Sequence, residues 1–107
     1  MTKTSQLDDL FADILARRGA SPDESYSAQL LADLPRAARK LGEEAIEALT
    51  AALSEDDEAL IGEAADVLYH LLVVLAAREV TLDAVMDQLA ARRGRSGLAE
   101  KAARGKE

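Results

Sequence analysis

Residues 40–70 read KLGEEAIEALTAALSEDDEALIGEAADVLYH, and the acidic residues in this stretch are placed as a mirror. Glu43, Glu44 and Glu47 precede a short polar break at 54–57, and Glu63 and Asp66 follow it. Before the break, Leu41, Ala45, Ile46, Leu49 and Leu53 recur every three or four positions, the period of a helix with one inward face. Folded back about position 55, the stretch becomes an antiparallel helical hairpin. Glu44 and Asp66 then both lie eleven residues from the turn, and Glu47 and Glu63 both lie eight. At a rise of ~1.5 Å per residue the four carboxylates meet at one level, roughly 12–17 Å from the turn and inside the bundle. Within each helix the two acids are three apart, so they project from one face about a turn apart.

Four carboxylates held together between helices repel one another, and withdrawing them from water without a partner is costly. A cation is therefore expected among Glu44, Glu47, Glu63 and Asp66. An oxygen-only donor set suits a hard ion: Mg²⁺, or Mn²⁺ as the alternative, with substrate phosphates completing the shell, and Ca²⁺ less well. Zinc would call for His or Cys, and the chain has no cysteine. Paired carboxylates also occur in di-iron bundles, but with a Glu-x-x-His repeat. The single histidine, His70, instead follows Asp66 by four and Glu63 by seven. Any one of these acids alone reads as part of a solvated face. The mirrored set, beside Leu41, Ile46, Ala64 and Val67, reads as a site.

Working outward, Leu7, Leu10, Phe11, Ile14 and Leu15 define a first helix of about three turns, with Ser5 as its cap, stopped by Gly19 and Pro22. Ser25 is expected to cap a short helix over 26–33. Pro35 cannot lie inside a helix and is placed near the start of the next, over 35–53. Ser54 or Asp56 caps a helix over about 57–78. Thr81 caps another, with Leu82, Val85, Met86 and Leu89 as its stripe, ending near 92–94. The segment LYHLLVVLAA after Val67 is apolar around almost the whole helix, so neighbours are expected on every side. A chain of 107 residues hardly supplies them. The expectation is one all-α domain over 1–107, a bundle of four to five helices with its core at about 5–92 and a polar tail at 93–107, completed by homodimerisation.

Composition agrees with a helical bundle: 49% of residues are apolar, yet Phe11, Tyr26 and Tyr69 are the only aromatics. The net charge of −7 argues against nucleic acid and anionic membranes as partners, since both draw on clustered Lys and Arg. Residues 1–10 lack the apolar core of a signal peptide, and the apolar run at 67–77 is shorter than a bilayer span. A cytoplasmic protein is expected.

Arg36, Arg39 and Lys40 stand on the helix that carries the first acidic group. Each can pair with Glu43, Glu44 or Glu47 along the helix, or Lys40 and Arg36 can hold phosphate oxygens; for Arg39 pairing is the better reading. His70 is either a hydrogen-bonded core residue or a substrate contact able to shuttle a proton. Gly42 and Gly62, each next to a site acid, suggest close approach by another helix or by ligand. Lys101 and Arg104, basic residues of the tail, either fold over a bound phosphate or remain solvated.

The stretches SYSAQLLADLPRAARKLGEEAIEALTAAL, GEAADVLYHLLVVLAAREVTLDAVMDQLAAR and SGLAEKAAR together resemble the phosphoribosyl-ATP pyrophosphatase family over about residues 24–104. That family is a branch of the all-α nucleoside triphosphate pyrophosphatases, which include MazG and the dimeric dUTPases. The group motif EExxE…ExxD corresponds to Glu43, Glu44, Glu47, Glu63 and Asp66. The SYSAQL opening with Tyr26, the KLGEE junction and DVLYHLLV point to the histidine-pathway branch. The resemblance implies a Mg²⁺-dependent homodimer that hydrolyses phosphoribosyl-ATP between its α and β phosphates, giving phosphoribosyl-AMP and pyrophosphate. By that matching Glu44, Glu47, Glu63 and Asp66 are metal ligands and Glu43 is an outer-shell or base residue. The candidate catalytic residues are then Glu43 and Glu47, and the candidate substrate contacts, read from the residues themselves, are Tyr26, Arg36, Lys40, His70, Lys101 and Arg104. Two rivals are a house-cleaning pyrophosphatase of the MazG-like group for other nucleoside triphosphates, and a non-catalytic helical dimerisation module that binds a divalent ion.

Overall fold

Two 21-residue helices, α3 (Leu34–Ser54) and α4 (Asp57–Ala77), run antiparallel and make the most extensive helix contact in the chain. Three shorter helices complete the bundle: α1 (Ser5–Ala16), α2 (Tyr26–Leu31) and α5 (Leu82–Arg92). A computed structural model describes residues 5–94 together with Gly97, Lys101, Arg104 and Gly105, and among them there is no strand. The all-α expectation therefore holds.

Local chemistry sets each boundary. Glu55 is extended and ends α3; the Asp56 carboxylate then accepts from the Ala59 amide at 2.9 Å and starts α4. The Ser54 hydroxyl instead donates back to the Thr50 carbonyl, so Asp56 is the cap. Ser25 caps α2 through the Ala28 amide and Thr81 caps α5 through the Ala84 amide, both as expected. Helix α2 stops at Leu31, short of 33, because Asp33 is itself the cap of α3, accepting from the Arg36 amide. Pro35 sits in that first turn, where its missing amide costs nothing. At the end of α4 the Val80 amide donates to the Leu75 carbonyl and the Glu79 amide to that of Ala76, with Glu79 in the left-handed region at φ 60°. The Arg18 guanidinium also donates to the Ala76 carbonyl, tying the chain after α1 to the end of α4. The expected capping by the Ser5 side chain lies outside the described residues.

The apolar core is gathered at one end of the hairpin. Phe11 and Ile14 of α1, Leu30 of α2, Ala37 of α3, Leu72, Val73 and Ala76 of α4 and Leu82 of α5 are buried together. Among the described residues the arm of the hairpin nearer the turn has no third layer: Ile46, Leu49 and Leu53 of α3 and Ile61 of α4 are 60–80% exposed, and Leu68 is 44% exposed. Encirclement of the apolar part of α4 is thus only partial within one chain.

Helix α4 has the length and mean hydropathy, 1.7, of a membrane span, although its uninterrupted apolar run is short. It carries Glu63 and Asp66 at mid-helix and packs against α1, α2 and α3, which makes it the central helix of a bundle. A Cβ at Gly42 or Gly62 would meet nothing within 4 Å, and both lie on exposed faces of the hairpin, so no other helix among the described residues of the same chain approaches them closely.

Candidate active site

On α3 the buried residues Ala37 and Ala51 lie seven before and seven after Glu44, so the three share the face turned to α4. On α4 the same relation joins Glu63 to the buried His70. Carboxylates thus occupy positions of an apolar seam, at the point where the hairpin leaves the core. Glu44, Glu63 and Asp66 bring one oxygen each to within 4.8 Å of one another. Glu44 and Glu63 are half-buried and Asp66 is exposed. Glu44 Oε2 and Glu63 Oε1 are shut off from solvent and have no hydrogen-bond partner.

The electrostatics follow from this crowding. Loss of water around Glu63, and then the fields of Glu47, Glu44, Asp66 and Glu55, push its carboxyl above the usual carboxylate range. Glu47 stands outside the group of three and is exposed, yet it is the strongest charged neighbour acting on Glu63. Glu43 is turned toward bases of its own helix: Lys40 Nζ is 3.4 Å from Oε1 and Arg39 Nε is 3.7 Å from Oε2. Its hydrogen bond, the Tyr26 phenol and the charges of Glu43 and Glu44 raise the Lys40 ammonium, which is fully charged at neutral pH. Arg36 Nη1 donates to Gln29 Oε1 at 3.5 Å, linking α3 to α2.

One turn along α4 from Asp66 lies an aromatic group. His70 Nδ1 is 2.8 Å from the Asp66 carbonyl, which can only accept, so Nδ1 carries the proton and Nε2 faces the Tyr26 hydroxyl at 3.4 Å as acceptor. Tyr69 shares a hydrogen bond with the Ser27 hydroxyl. The Tyr26 and Tyr69 rings are 18° from parallel with centroids 6.4 Å apart, and His70 meets both edge-on. Ser27 and Tyr69 are not among the site residues expected from the sequence; only the stretches SYS at 25–27 and YH at 69–70 hint at them. Lys101 and Arg104 are exposed and helical.

Hard oxygen donors brought together, with Lys40 and Arg36 on the same helix as Glu44 and with tyrosines one turn beyond Asp66, suit a divalent ion and a phosphate chain beside it. Comparison with known proteins agrees with this chemistry. The family described as phosphoribosyl-ATP pyrophosphohydrolase matches residues 7–93. A phosphoribosyl-ATP pyrophosphatase of Ruegeria pomeroyi is 58% identical over 103 residues, covering 95% of this chain and 98% of the relative. Proteins of the same name from Caulobacter sp. (strain K31) and Rhodobacter capsulatus are 57% identical (92% of each chain) and 56% identical (90% of this chain, 94% of the relative). On that likeness, carried across nearly the whole length of both partners, the chain belongs to the phosphoribosyl-ATP pyrophosphohydrolase family.

Proposed function

We propose that this protein hydrolyses phosphoribosyl-ATP to phosphoribosyl-AMP and pyrophosphate, a step of histidine biosynthesis, with Mg²⁺ held by Glu44, Glu63 and Asp66 and with Glu47 joining them. The observation that carries the metal assignment is the pair of solvent-shielded oxygens, Glu44 Oε2 and Glu63 Oε1, that no protein donor satisfies. The donor set fits a hard cation, since all three of its groups are carboxylates. When bound, Mg²⁺ supplies a water of lowered pKa and neutralises charge on phosphate oxygens; Mn²⁺ is the alternative ion.

The protein's own groups supply the rest. Lys40 and Arg36 approach from α3 and hold phosphate oxygens of the substrate, where charge builds as the anhydride breaks. Glu47, exposed at the rim of the cluster, and Glu43, on the next turn, are the groups placed to take a proton from the attacking water. His70 and Tyr26 close the side toward α2, and Lys101 and Arg104 of the tail supply further cations for the phosphates.

Two copies are proposed to pair through the apolar face of the hairpin arm, where Ile46, Leu49, Leu53 and Ile61 lack cover. A cytoplasmic location and a small nucleotide as partner, with neither nucleic acid nor membrane involved, follow from the same reading and from the net charge of −7.

The deciding experiment is a coupled pyrophosphate-release assay on purified protein with phosphoribosyl-ATP, in Mg²⁺ and in excess EDTA. Release in Mg²⁺ alone is expected. Turnover undiminished by EDTA would refute the metal role, and a clear preference for dUTP or dCTP would remove the histidine assignment.

A further inference from the structure

We propose that the exposed part of the Tyr26 ring is the platform on which the purine base of the nucleotide stacks, which makes Tyr26 the residue that binds the base. The inference rests on the nucleotide-hydrolase reading and deepens it.

Of the three aromatic side chains, Phe11 is 8% exposed and Tyr69 is half-buried, whereas Tyr26 is 42% exposed. An aromatic ring left open to water is ordinary on its own. Here, however, it is held from two sides. Its hydroxyl faces His70 Nε2, His70 is itself anchored on the Asp66 carbonyl, and the ring lies near-parallel to Tyr69, which Ser27 fixes in turn. Tyr26 also opens α2, where Ser25 caps the helix and sets the direction of the chain.

That framework places the ring beside the reacting groups. Through His70 it is one helical turn from Asp66, whose carboxylate belongs to the acidic cluster. Phosphates are served by the cations and the carboxylate-bound ion. The polar end of Tyr26 is engaged, so the part left for a ligand is a flat π surface. A planar heterocycle laid on it extends the existing Tyr26–Tyr69 pair by one ring, and such stacking accepts any base, favouring the larger purines.

The test uses the fact that the chain has two tyrosines and no tryptophan. In Tyr69→Phe, tyrosine emission reports on Tyr26 alone. AMP is expected to quench that emission saturably, and ribose 5-phosphate, which lacks a base, is expected to leave it unchanged. In turnover assays Tyr26→Leu is expected to raise KM for phosphoribosyl-ATP roughly tenfold or more with kcat little altered, while Tyr26→Phe, which keeps the ring, recovers most of the loss. Inhibition by pyrophosphate, which has no base, should be equal in the three proteins.

Equal quenching by ribose 5-phosphate would overturn the proposal. So would a Tyr26→Leu protein that is helical by circular dichroism and keeps its KM, or one that loses affinity for pyrophosphate in step with the nucleotide. Should the wild-type protein release no pyrophosphate, the assigned reaction fails, and base-dependent quenching still decides the role of the ring.

Discussion

Glu44 and Glu63 approach each other across the hairpin with carboxylate oxygens within 4.8 Å, and each keeps one solvent-shielded oxygen that no hydrogen bond satisfies. Like charges so placed strain the metal-free fold and are relieved by a cation. Melting temperature is therefore expected to rise with Mg²⁺ or Mn²⁺; at a hundredfold excess over Kd the gain is about 2.7 kcal/mol. Glu63→Gln should melt higher than the wild type without metal and lose the metal-dependent increment. Melting curves of both proteins with and without ions check this, and a Glu63→Gln variant that keeps the full increment would count against the site.

The raised pKa of Glu63 has a definite sign. Burial and the neighbouring acids make the folded protein bind this proton more tightly than the unfolded chain does. The penalty from its charge is thus complete above the folded pKa. It shrinks as pH falls through that value and vanishes below the ordinary glutamate range. Without metal, the wild type should gain on Glu63→Gln in melting temperature as pH is lowered from neutral. Metal binding needs the ionised form, so Mn²⁺ affinity should fall over the same interval, measurable by titration at a series of pH values.

Pairing through the hairpin arm makes a separate prediction. Leu49 is 60% exposed in the middle of an apolar stripe with Ile46 and Leu53. A charge there would be buried if two copies meet on this face. Light scattering on the eluting peak should give twice the 11.4 kDa chain mass for the wild type and the single mass for Leu49→Glu.

The hairpin was legible because its signals are local: a helical period that stops, an acid that caps, and equal counts on either side of position 55. The distinction between Glu44 and Glu47 was harder to read, although it follows from the same geometry. Three residues carry a helix about 60° short of a full circle, and only Glu44 falls in line with Ala37 and Ala51. Contacts such as Ser27 with Tyr69 span 42 residues and obey no local period. Gly42 and Gly62 stand on open faces of the hairpin, so packing among the described residues of one chain does not account for their helix cost.

Glu79 offers a test of the backbone alone. Its φ of 60° closes α4, a conformation in which a side chain costs about 1–2 kcal/mol. Glycine there is free of that strain but loses more entropy on folding, about 0.4–1 kcal/mol. Glu79→Gly should therefore raise stability by about 0.5–1 kcal/mol in urea unfolding, with m unchanged.

The roles of Glu43 and Glu47 separate most clearly in kinetics. Glu43 is paired with Lys40 and Arg39 on an exposed helix face, and such pairs add little to stability. Glu43→Gln should leave the melting temperature and the Mn²⁺ affinity close to wild type while lowering kcat, if its carboxylate takes the proton. Glu47 acts directly on the cluster through its charge on Glu63. Glu47→Gln should therefore weaken Mn²⁺ binding and abolish turnover with the helical signal intact. Isothermal titration with Mn²⁺ beside steady-state kinetics distinguishes the two. A Glu43→Gln enzyme with full kcat would reduce Glu43 to a partner of Lys40 and leave Glu47 as the base.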